Sequence, residues 1–363
     1  MEGRELQSRR FNGGRPARDP LSRGAGVIAA RAGERLRGLW ANKSPAGADR
    51  LLGGLLAPAG HTFRLAVAAR NRWYDRRPPD LAPIPVVSVG NLTVGGTGKT
   101  PVVRWLWDWL ARRGSRAGVV TRGYGDDEVA LYGRWFGRDA VFAGSDRVAG
   151  IGAAWRDGHD LALLDDGFQH RRAPRAVDIL LVAAEDPWRV RMLPSGPYRE
   201  PLTAARRATH ILVTRRTSEQ SAADRWVTRL SRIAPDVSTS RIEMRMGGWR
   251  DLAGFPVAPP VGDVLAVCSI ARPEAFAAGL SELLPDSDVR LAAFPDHHRF
   301  GRRDIAVLSR RRDARTVVCT AKDAPKLAAF PDFARCCVAV GFGVVGEPRG
   351  PLRSMLTSLI RDS

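Results

Sequence analysis

The chain has 363 residues, of which 44% are hydrophobic and 26% are charged, as in soluble globular proteins that bury a core of normal size. This length exceeds one ordinary domain and fits two α/β domains plus an extension. The formal net charge of +19 favours an anionic partner, whether nucleic acid, an acidic membrane or a phosphorylated substrate. No recognised nucleic-acid-binding module appears in the sequence, so a nucleic-acid-binding protein is not favoured.

Arginine supplies nearly all of the positive charge, because only four of the 57 basic residues are lysines. This bias runs through the whole chain, so most arginines need no functional explanation. About half of the excess charge nevertheless falls within residues 1–80. In a chain that uses arginine almost everywhere, a lysine is a better indicator of a functional position than a further arginine. The four lysines are Lys43, Lys99, Lys322 and Lys326.

The first 80 residues divide into two segments. Residues 1–45 are rich in Arg, Gly, Ala and Pro and lack a hydrophobic period, which predicts a basic, disordered extension. Residues 46–80 include an apolar stretch at 49–75 that contains Pro58 and Arg64, so it is a poor transmembrane span. Its basic and aromatic end is typical of a helix lying in a membrane interface, while an amphipathic helix packed on the protein has a similar pattern.

The cysteines form no CxxC pair, and three of the four lie in apolar, strand-like runs. This pattern predicts buried small hydrophobic residues in a reducing compartment, not a disulfide framework. The N-terminal sequence MEGRELQSRR shows no secretory signal, in keeping with that compartment. The four are Cys268, Cys319, Cys336 and Cys337.

From residue 84 onward, short apolar runs alternate with helical stretches, which predicts βαβ units and a parallel sheet. A second series of such runs begins after residue 250. We therefore predict an α/β core over 81–235, a linker over 236–258 and a smaller α/β domain over 259–363. The first series comprises IPVVSV, AGVVT, LALL, DILLVA and HILVT, and the second comprises VLAVCS, VRLAAF, RTVVCT and CVAVGF.

The strongest motif is VSVGNLTVGGTGKTP at 87–101, where a strand ends, a glycine-rich turn follows and a helix begins. Such a loop lets backbone N–H groups converge on phosphate oxygens at a helix N-terminus. Lys99 is predicted to reach the β- and γ-phosphates, and Thr100 to offer its hydroxyl to Mg²⁺. The strict pattern requires glycine at position 93, where this chain has Thr93. The competing interpretation is a structural glycine turn.

LALLDDGFQH at 161–170 ends a buried strand with two carboxylates. A carboxylate at the C-terminal end of a strand, next to a phosphate-binding loop, commonly serves the Mg²⁺ of a nucleotide. Asp165 is the first candidate, with Asp166 beside it. In isolation an Asp-Asp-Gly turn would explain the same residues.

Two further segments carry candidate catalytic side chains. TRGYGDDEV at 121–129 offers Arg122 to a phosphate and a run of acidic residues as candidate bases, although a solvated turn has the same composition. FPDHHRF at 294–300 holds two of the six histidines beside a carboxylate, an arrangement suited to a general base. A zinc site is the competing idea, and the sequence offers no third ligand at suitable spacing.

Taken together, these segments resemble the tetraacyldisaccharide 4′-kinases of lipid A biosynthesis. The resemblance runs in order from about Leu51 to beyond Lys326. The departure from glycine at Thr93 is itself characteristic of the phosphate-binding loop in that family. Two other departures are Ala321, where the family has Glu, and the missing stretch between RGYG and DDEV. The matching segments are VGNLTVGGTGKTP, TRGYG, DDGFQH, MLPSGPYREP, ARPEAF, FPDHHRF and TAKDAPKL.

The resemblance implies a P-loop-type three-layer α/β/α kinase domain, a second, smaller α/β domain and an N-terminal membrane-interface helix. The implied reaction moves the γ-phosphoryl of ATP, with Mg²⁺, to the 4′-hydroxyl of a tetraacylated glucosamine disaccharide 1-phosphate. The implied partners are this glycolipid and the membrane surface, with neither nucleic acid nor an obligate protein partner. The implied location is the cytoplasmic face of the bacterial inner membrane.

The resemblance also assigns roles to particular residues. Asp127 and His297 correspond to a catalytic His–Asp pair, with Asp126 one step from the chosen Asp. The other assignments are catalysis for Asp166, nucleotide binding for Gly95, Gly96, Thr97, Gly98, Lys99 and Thr100, substrate binding for Arg122, His170, Arg199 and Glu200, and metal binding for Thr100 and Asp165.

Two alternatives stay open at this point. A P-loop GTPase or ATPase switch that binds a protein partner predicts slow hydrolysis without a lipid acceptor, and TAKDAPKL at 320–327 resembles the base-reading loop of such switches. A basic nucleic-acid-binding ATPase predicts hydrolysis stimulated by DNA or RNA with a steep salt dependence.

Overall fold

The computed structural model describes residues 56–123, 126–270, 273–296 and 298–360, without the side chains of Ala57, Asp126 and Asp127. The chain divides into two compact units, Met1–Ala57 and Pro58–Ser363. Nearly all of the first unit lies outside the described residues, and so does the whole predicted extension at 1–45.

The described part of the second unit holds a sheet of eleven strands in the order β3-β2-β4-β1-β5-β6-β7-β11-β10-β8-β9. Neighbouring strands are parallel throughout, except that β7 and β11 pair antiparallel. The strand bounds are β1 Val86–Asn91, β2 Ala117–Thr121, β3 Val141–Ala143, β4 Leu161–Asp165, β5 Val177–Ala183, β6 His210–Arg215, β7 Ser238–Asp251, β8 Val264–Cys268, β9 Val289–Ala293, β10 Thr316–Thr320 and β11 Cys337–Val344.

Helices join and cover these strands, and the predicted helix at the front of the chain is among them as α1. Within the described residues no helix is both long enough and apolar enough to cross a membrane. The helix bounds are α1 Ala57–Asp75, α2 Lys99–Ala111, α3 Asp126–Phe136, α4 Arg147–Arg156, α5 Gln220–Ile233, α6 Pro273–Leu283, α7 Arg302–Arg311, α8 Ala324–Leu327, α9 Pro331–Ala334 and α10 Gly350–Thr357, with 3₁₀ turns at Arg138–Ala140 and Leu202–Arg207.

The central strands are buried on both faces, which is why their sequences are continuous apolar runs without alternation. On one face, α2, α3 and α10 pack their apolar side chains on β1, β2, β4 and β5. On the other face, α4 packs near β1 and β4, while α1 and α5 pack near β5 and β6. The prediction of a three-layer α/β/α arrangement is confirmed.

The C-terminal half repeats the same layering on fewer strands. The helices α7, α8 and α9 cover one face of β8, β10 and β11, and α6 covers the other. Of the four cysteines, all are free and three are fully buried in these strands, as the sequence predicts. A second, smaller α/β region is therefore present.

Strand β7 joins the two halves of the sheet. Its first residues, Ser238–Glu243, pair with β6, and the residues from Met244 to Asp251 pair with β11. This strand occupies most of the segment predicted as a linker over 236–258. The division into domains at that segment remains a prediction.

The order of the strands determines where a ligand can bind. After β1 the chain builds β2, β3 and β4 on one side of it, and then β5 and β6 on the other. Strand order therefore reverses at β1. In open parallel sheets, ligands bind beside the carboxyl ends of the strands at such a switch point. The glycine-rich loop follows the carboxyl end of β1.

Candidate active site

The glycine-rich loop joins β1, which ends at Asn91, to α2, which begins at Lys99. Gly95 and Gly98 have φ angles of 126° and 91°, which residues with a Cβ rarely adopt. A Cβ on Gly98 would also lie 2.6 Å from Cε of Met244, so the end of the Met244 side chain would have to move. The glycines thus let the loop wrap around the N-terminus of α2, whose backbone N–H groups and partial positive charge suit a phosphate.

Thr93 replaces the first glycine of the general motif, and its contacts explain why a side chain is accepted there. Its φ is not positive, so glycine is not required. The Thr93 carbonyl accepts hydrogen bonds from Asn91 Nδ2 at 2.9 Å and from Arg199 Nη2 at 3.2 Å. Its hydroxyl lies 3.3 Å from Asn91 Nδ2 and 3.5 Å from Asp186 Oδ2. The residue therefore braces the base of the loop.

Lys99, Asp166 and Arg199 form a charged cluster around Asn91. Lys99 Nζ lies 3.4 Å from Asp166 Oδ1 and donates to Asn91 Oδ1 at 3.1 Å. Arg199 donates to the two Asp166 oxygens at 3.1 and 3.0 Å, and its Nη2 also donates to Asn91 Oδ1. Burial opposes ionisation of Asp166, but Lys99 and Arg199 outweigh it and lower the pKa of this carboxyl to about 2. Asp166 is thus ionised at neutral pH and orients two cations beside the loop.

Asp165 occupies a different environment at the end of β4, where it is 4% exposed. Tyr132 donates its hydroxyl hydrogen to Asp165 Oδ2 at 3.1 Å, and the same hydroxyl contacts the Thr100 side chain. Oδ1 of Asp165 is buried and lacks a hydrogen-bond partner among the described residues. Burial, followed by the nearby Glu128 carboxylate, raises the pKa of Asp165 to about 6. An unmatched carboxylate oxygen close to a hydroxyl offers hard ligands to a cation such as Mg²⁺.

Arg122 follows β2 and lines a cleft of about 750 Å³ beside α3. Arg134 and Arg138 line the same cleft, which is therefore positively charged. Glu128, also on α3, accepts a hydrogen bond from Lys322 Nζ at 2.9 Å. This ion pair ties the TAKD segment of the C-terminal half to the helix that borders the site.

The predicted His–Asp pair lies largely outside the described residues. Asp127 is in the first turn of α3, but its side chain is not described, and His297 lies wholly outside. The adjacent His298 is described: its Nε2 lies 3.0 Å from Asp304 Oδ2, and its ring stacks on Phe294. Asp304 also accepts the backbone N–H of the residue that caps α7. His298 therefore has a structural partner that fixes this loop, and the catalytic role of His297 remains a prediction.

His170 lies in a basic region behind the two aspartates. Burial and then the charges of Arg147 and Arg175 lower its pKa, so the imidazole is neutral at pH 7. Its Nε2 is buried without a hydrogen-bond partner among the described residues. The arginines around this imidazole suit an anionic group, and substrate binding by His170, which the resemblance implies, remains a prediction.

Glu200 is 1% exposed, and side chains from three segments, Arg207, Asn71 and Gln169, contact its carboxylate. Its Oε2 accepts hydrogen bonds from Arg207 Nη1 at 2.8 Å and from Asn71 Nδ2 of α1 at 3.0 Å. These contacts anchor α1 to the core. The assignment of Glu200 to substrate binding remains a prediction. Its burial and its partners indicate that it also contributes to the stability of the fold.

We expect Glu200→Ala to lower the free energy of unfolding by about 3–5 kcal/mol, because it leaves the Arg207 guanidinium buried without its carboxylate. Urea denaturation measures this directly. Glu200→Gln keeps the size and an acceptor oxygen, so its loss should be smaller. A loss below about 1 kcal/mol for Glu200→Ala would show that the pair is not important for stability.

The structure thus brings Lys99, Thr100, Asp165, Asp166 and Arg199 together at the end of β1. Sequence reasoning missed two residues that hold them, namely Asn91 and Tyr132. Asn91 could have been noticed as a polar residue that closes an apolar strand. Tyr132 had no such signal, because an aromatic residue on a helix usually indicates ordinary core packing.

The family model described as tetraacyldisaccharide-1-P 4′-kinase matches residues 52–132 and 126–361. The tetraacyldisaccharide 4′-kinase of Anaeromyxobacter sp. (strain K) is 36% identical over 329 residues, covering 80% of this chain and 86% of that protein. The protein of the same name from Syntrophus aciditrophicus (strain SB) is 32% identical over 373 residues, covering 91% of this chain and 99% of that protein.

A solved structure has the same fold. The crystal structure of LpxK from Aquifex aeolicus in complex with ATP superposes with a TM-score of 0.66 and 25% identity, covering 85% of this chain and 99% of that chain. The family model matches more than half of the chain, and the relatives exceed 30% identity over most of it. The chain belongs to the tetraacyldisaccharide-1-phosphate 4′-kinase family.

Proposed function

We propose that the protein transfers the γ-phosphoryl of ATP to the 4′-hydroxyl of a tetraacylated disaccharide 1-phosphate, which gives a bis-phosphorylated glycolipid. The observation that carries this proposal is the family match over 52–132 and 126–361, which includes every segment of the candidate site. The reaction forms a bond between the 4′-oxygen and the γ-phosphorus, breaks the bond from that phosphorus to ADP, and releases the hydroxyl proton.

The geometry of the loop supports ATP as the donor. In the proposed complex the phosphates of ATP bind at the N-terminus of α2, where Lys99 is held by Asp166 and Asn91. A cation fixed before binding stabilises the charge on the transferring phosphoryl group without reorganisation. Arg199, bound to the same aspartate, adds a second fixed cation.

The residues around Asp165 fit Mg²⁺. Among the described residues no group of three His, Cys, Asp or Glu side chains can hold a metal ion by themselves. This agrees with Mg²⁺, which typically takes one or two protein carboxylates together with substrate phosphates and water. Asp165 and Thr100 are the residues that would hold the ion. Bound there, it would supply charge neutralisation on the phosphates.

Proton removal is assigned to Asp127 and His297. Asp127 is in the first turn of α3, the helix that also supplies Glu128 and Tyr132 to the site. In this proposal the Asp127 carboxylate accepts the proton of the 4′-hydroxyl, and His297 orients it. Arg122 and the basic cleft beside α3 are proposed to supply cations to the phosphorylated disaccharide, and the neutral His170 is proposed to offer it a hydrogen bond.

Helix α1 is proposed to lie on the cytoplasmic face of the inner membrane. Val67 is buried against the core, while Leu65 is 72% exposed and Trp73 47% exposed. The guanidinium of Arg77 lies 3.7 Å from the centre of the Trp73 ring. Apolar and aromatic side chains flanked by arginines suit the boundary between anionic head groups and acyl chains.

The double variant Leu65→Glu, Trp73→Glu is expected to weaken binding to anionic lipid vesicles on the order of tenfold or more. Leu65 is largely exposed and Trp73 half exposed, so the fold should persist, with a small loss of thermal stability from the lost Trp73–Arg77 contact. Cosedimentation with vesicles measures the binding, and Leu81→Glu, at a residue 95% exposed outside the helix, is the matched control. Equal binding of the double variant and the wild type would remove α1 from the membrane contact.

ATP turnover tests the proposed activity against its alternatives. We expect turnover to depend on tetraacyldisaccharide 1-phosphate in detergent micelles, and to be unaffected by duplex DNA or RNA. Steady turnover without the lipid would favour a nucleotide switch, and stimulation by nucleic acid that falls steeply with salt would favour a nucleic-acid-dependent ATPase. Either result would overturn the proposal.

A further inference from the structure

Arg216 lies beside the phosphate-binding loop, on the side opposite to the aspartates. It directly follows β6, which stands two strands from β1 in the order β1-β5-β6. A methyl group placed on Gly96 would lie 4.0 Å from Nη1 of Arg216. Thr214, two residues before Arg216 in the chain, donates its hydroxyl hydrogen to the Thr97 carbonyl at 3.1 Å. The end of β6 is therefore joined to the tip of the loop.

Glu185 holds this segment in place. Its Oε1 accepts the backbone N–H groups of Arg216, Thr217 and Ser218 at 2.8, 3.1 and 3.2 Å, and the Ser218 hydroxyl at 3.0 Å. Its Oε2 lies 3.5 Å from Nε of Arg216. One carboxylate thus fixes both the backbone of the turn and the side chain of Arg216. A guanidinium fixed in this way loses little freedom when a ligand arrives.

The sheet order indicates which end of a nucleotide Arg216 meets. The carboxylates of the site, Asp165 and Asp166, follow β4, which flanks β1 on one side. Arg216 follows β6, which lies beyond β5 on the other side. The γ-phosphoryl lies near the carboxylates and Lys99 in the proposed reaction, so the remainder of the nucleotide extends across the loop towards β6.

We infer that Arg216 contacts the nucleoside end of ATP, with the plane of its guanidinium against the purine ring, and that Glu185 is the residue that positions it. A planar, delocalised cation stacks on aromatic rings, which a lysine ammonium cannot do in the same way. This inference rests on the proposed function, because it takes ATP as the donor.

Arg215 provides a matched control. It is the residue next to Arg216, yet its Nη2 lies 2.8 Å from Oε1 of Glu243 on β7. Removing it changes the net charge equally without touching the contact with the loop. Inorganic tripolyphosphate provides the matched ligand, because it has three phosphates and no nucleoside.

The experiment is calorimetric titration of the full chain with Mg–ATP and with Mg–tripolyphosphate. Arg216→Ala is expected to raise the dissociation constant of Mg–ATP on the order of tenfold, and that of Mg–tripolyphosphate by less than twofold. Arg216→Lys should weaken ATP binding nearly as much as Arg216→Ala does, because lysine restores the positive charge but has no planar guanidinium to stack on the purine. Arg215→Ala should match the wild type with both ligands.

Three outcomes would overturn the inference. If Arg216→Ala weakens the binding of ATP and of tripolyphosphate equally, Arg216 contacts a phosphate. If Arg216→Lys binds ATP with the affinity of the wild type, the positive charge alone suffices. Unchanged ATP binding in a folded Arg216→Ala variant would exclude the contact. If the wild type fails to bind Mg–ATP, the proposed function falls with the inference. Normal binding by the wild type with an unaffected variant overturns the inference alone.

Discussion

Lys99→Ala is expected to lower kcat for phosphoryl transfer on the order of 10²–10³, with a smaller effect on lipid binding. In the structure the Lys99 ammonium stands 3.4 Å from Asp166 and is held by Asn91 at the N-terminus of α2. In the proposed reaction it stabilises charge on the phosphoryl group during transfer. Alanine removes this cation and leaves the path of the loop unchanged.

The folded state should survive Lys99→Ala, because Arg199 remains bound to both oxygens of Asp166. Arg112→Ala is the matched control: it removes a cation at the other end of the same helix, where Arg112 pairs with Glu347 at 3.7 Å. Single-turnover kinetics with saturating lipid separates chemistry from binding. A rate within about fivefold of the wild type would exclude Lys99 from the transfer step.

Asp165→Asn is expected to lower the activity strongly and to stabilise the protein. The amide is a poorer ligand for Mg²⁺, so we expect a fall in kcat on the order of 10². The gain in stability follows from burial, which raises the pKa of Asp165 from 3.8 to about 6. Keeping this carboxylate ionised at pH 7 therefore costs about 3 kcal/mol at most, which the neutral amide does not incur.

The pH dependence of this gain follows from the sign of the shift. A raised pKa means that the folded wild type binds a proton more tightly than the unfolded chain, so the wild type becomes relatively more stable as the pH falls. In EDTA, the higher melting temperature of Asp165→Asn should be largest above pH 6 and shrink as the pH falls from about 6 towards 4. A variant that melts below the wild type at pH 7.5 would contradict this assignment.

The same titration governs wild-type activity. Below about pH 6 the Asp165 carboxyl of the metal-free enzyme gains a proton and loses its capacity as a metal ligand, so kcat/KM at subsaturating Mg²⁺ should fall about tenfold per pH unit there. Asp166 does not titrate in this range, because Lys99 and Arg199 hold its pKa near 2. An activity that stays constant between pH 7 and pH 5 would exclude Asp165 as the group whose charge is required.

The sequence predicted the elements that depend on local patterns. The loop at 87–101 and the pair Asp165–Asp166 were found because glycine spacing and strand ends leave a recognisable signature. The three-layer arrangement followed from continuous apolar runs, since strands buried on both faces cannot alternate. Helix α1 was also expected, and the structure begins it at Ala57.

Contacts between distant segments could not be predicted in this way. Arg199 lies 33 residues after Asp166 in the chain, and no periodicity indicates that its guanidinium closes on that carboxylate. Gly98 meets Met244 of β7 only because the sheet brings them together. The sequence gives no indication of a role for Arg216 either, because one more arginine after a strand is not unusual in a chain so rich in arginine.

The segment predicted as a linker forms a strand that pairs with both halves of the sheet. The segment 236–258 lies between the two series of apolar runs and is predicted to connect two domains. The structure places β7 there, with its first half paired to β6 and its second half to β11. The strand is partly exposed along its length, so its sequence lacks the apolar signature of the buried strands. Hydrogen bonding on both edges explains why it is extended nonetheless.

The most direct test of the central claim is mass spectrometry of the lipid after incubation with Mg–ATP. The account predicts that tetraacyldisaccharide 1-phosphate gains one phosphoryl group, that fragmentation places it on the 4′-oxygen, and that ADP appears in equal amount. ATP consumption with an unchanged lipid, or a phosphoryl group placed at another position, would contradict it.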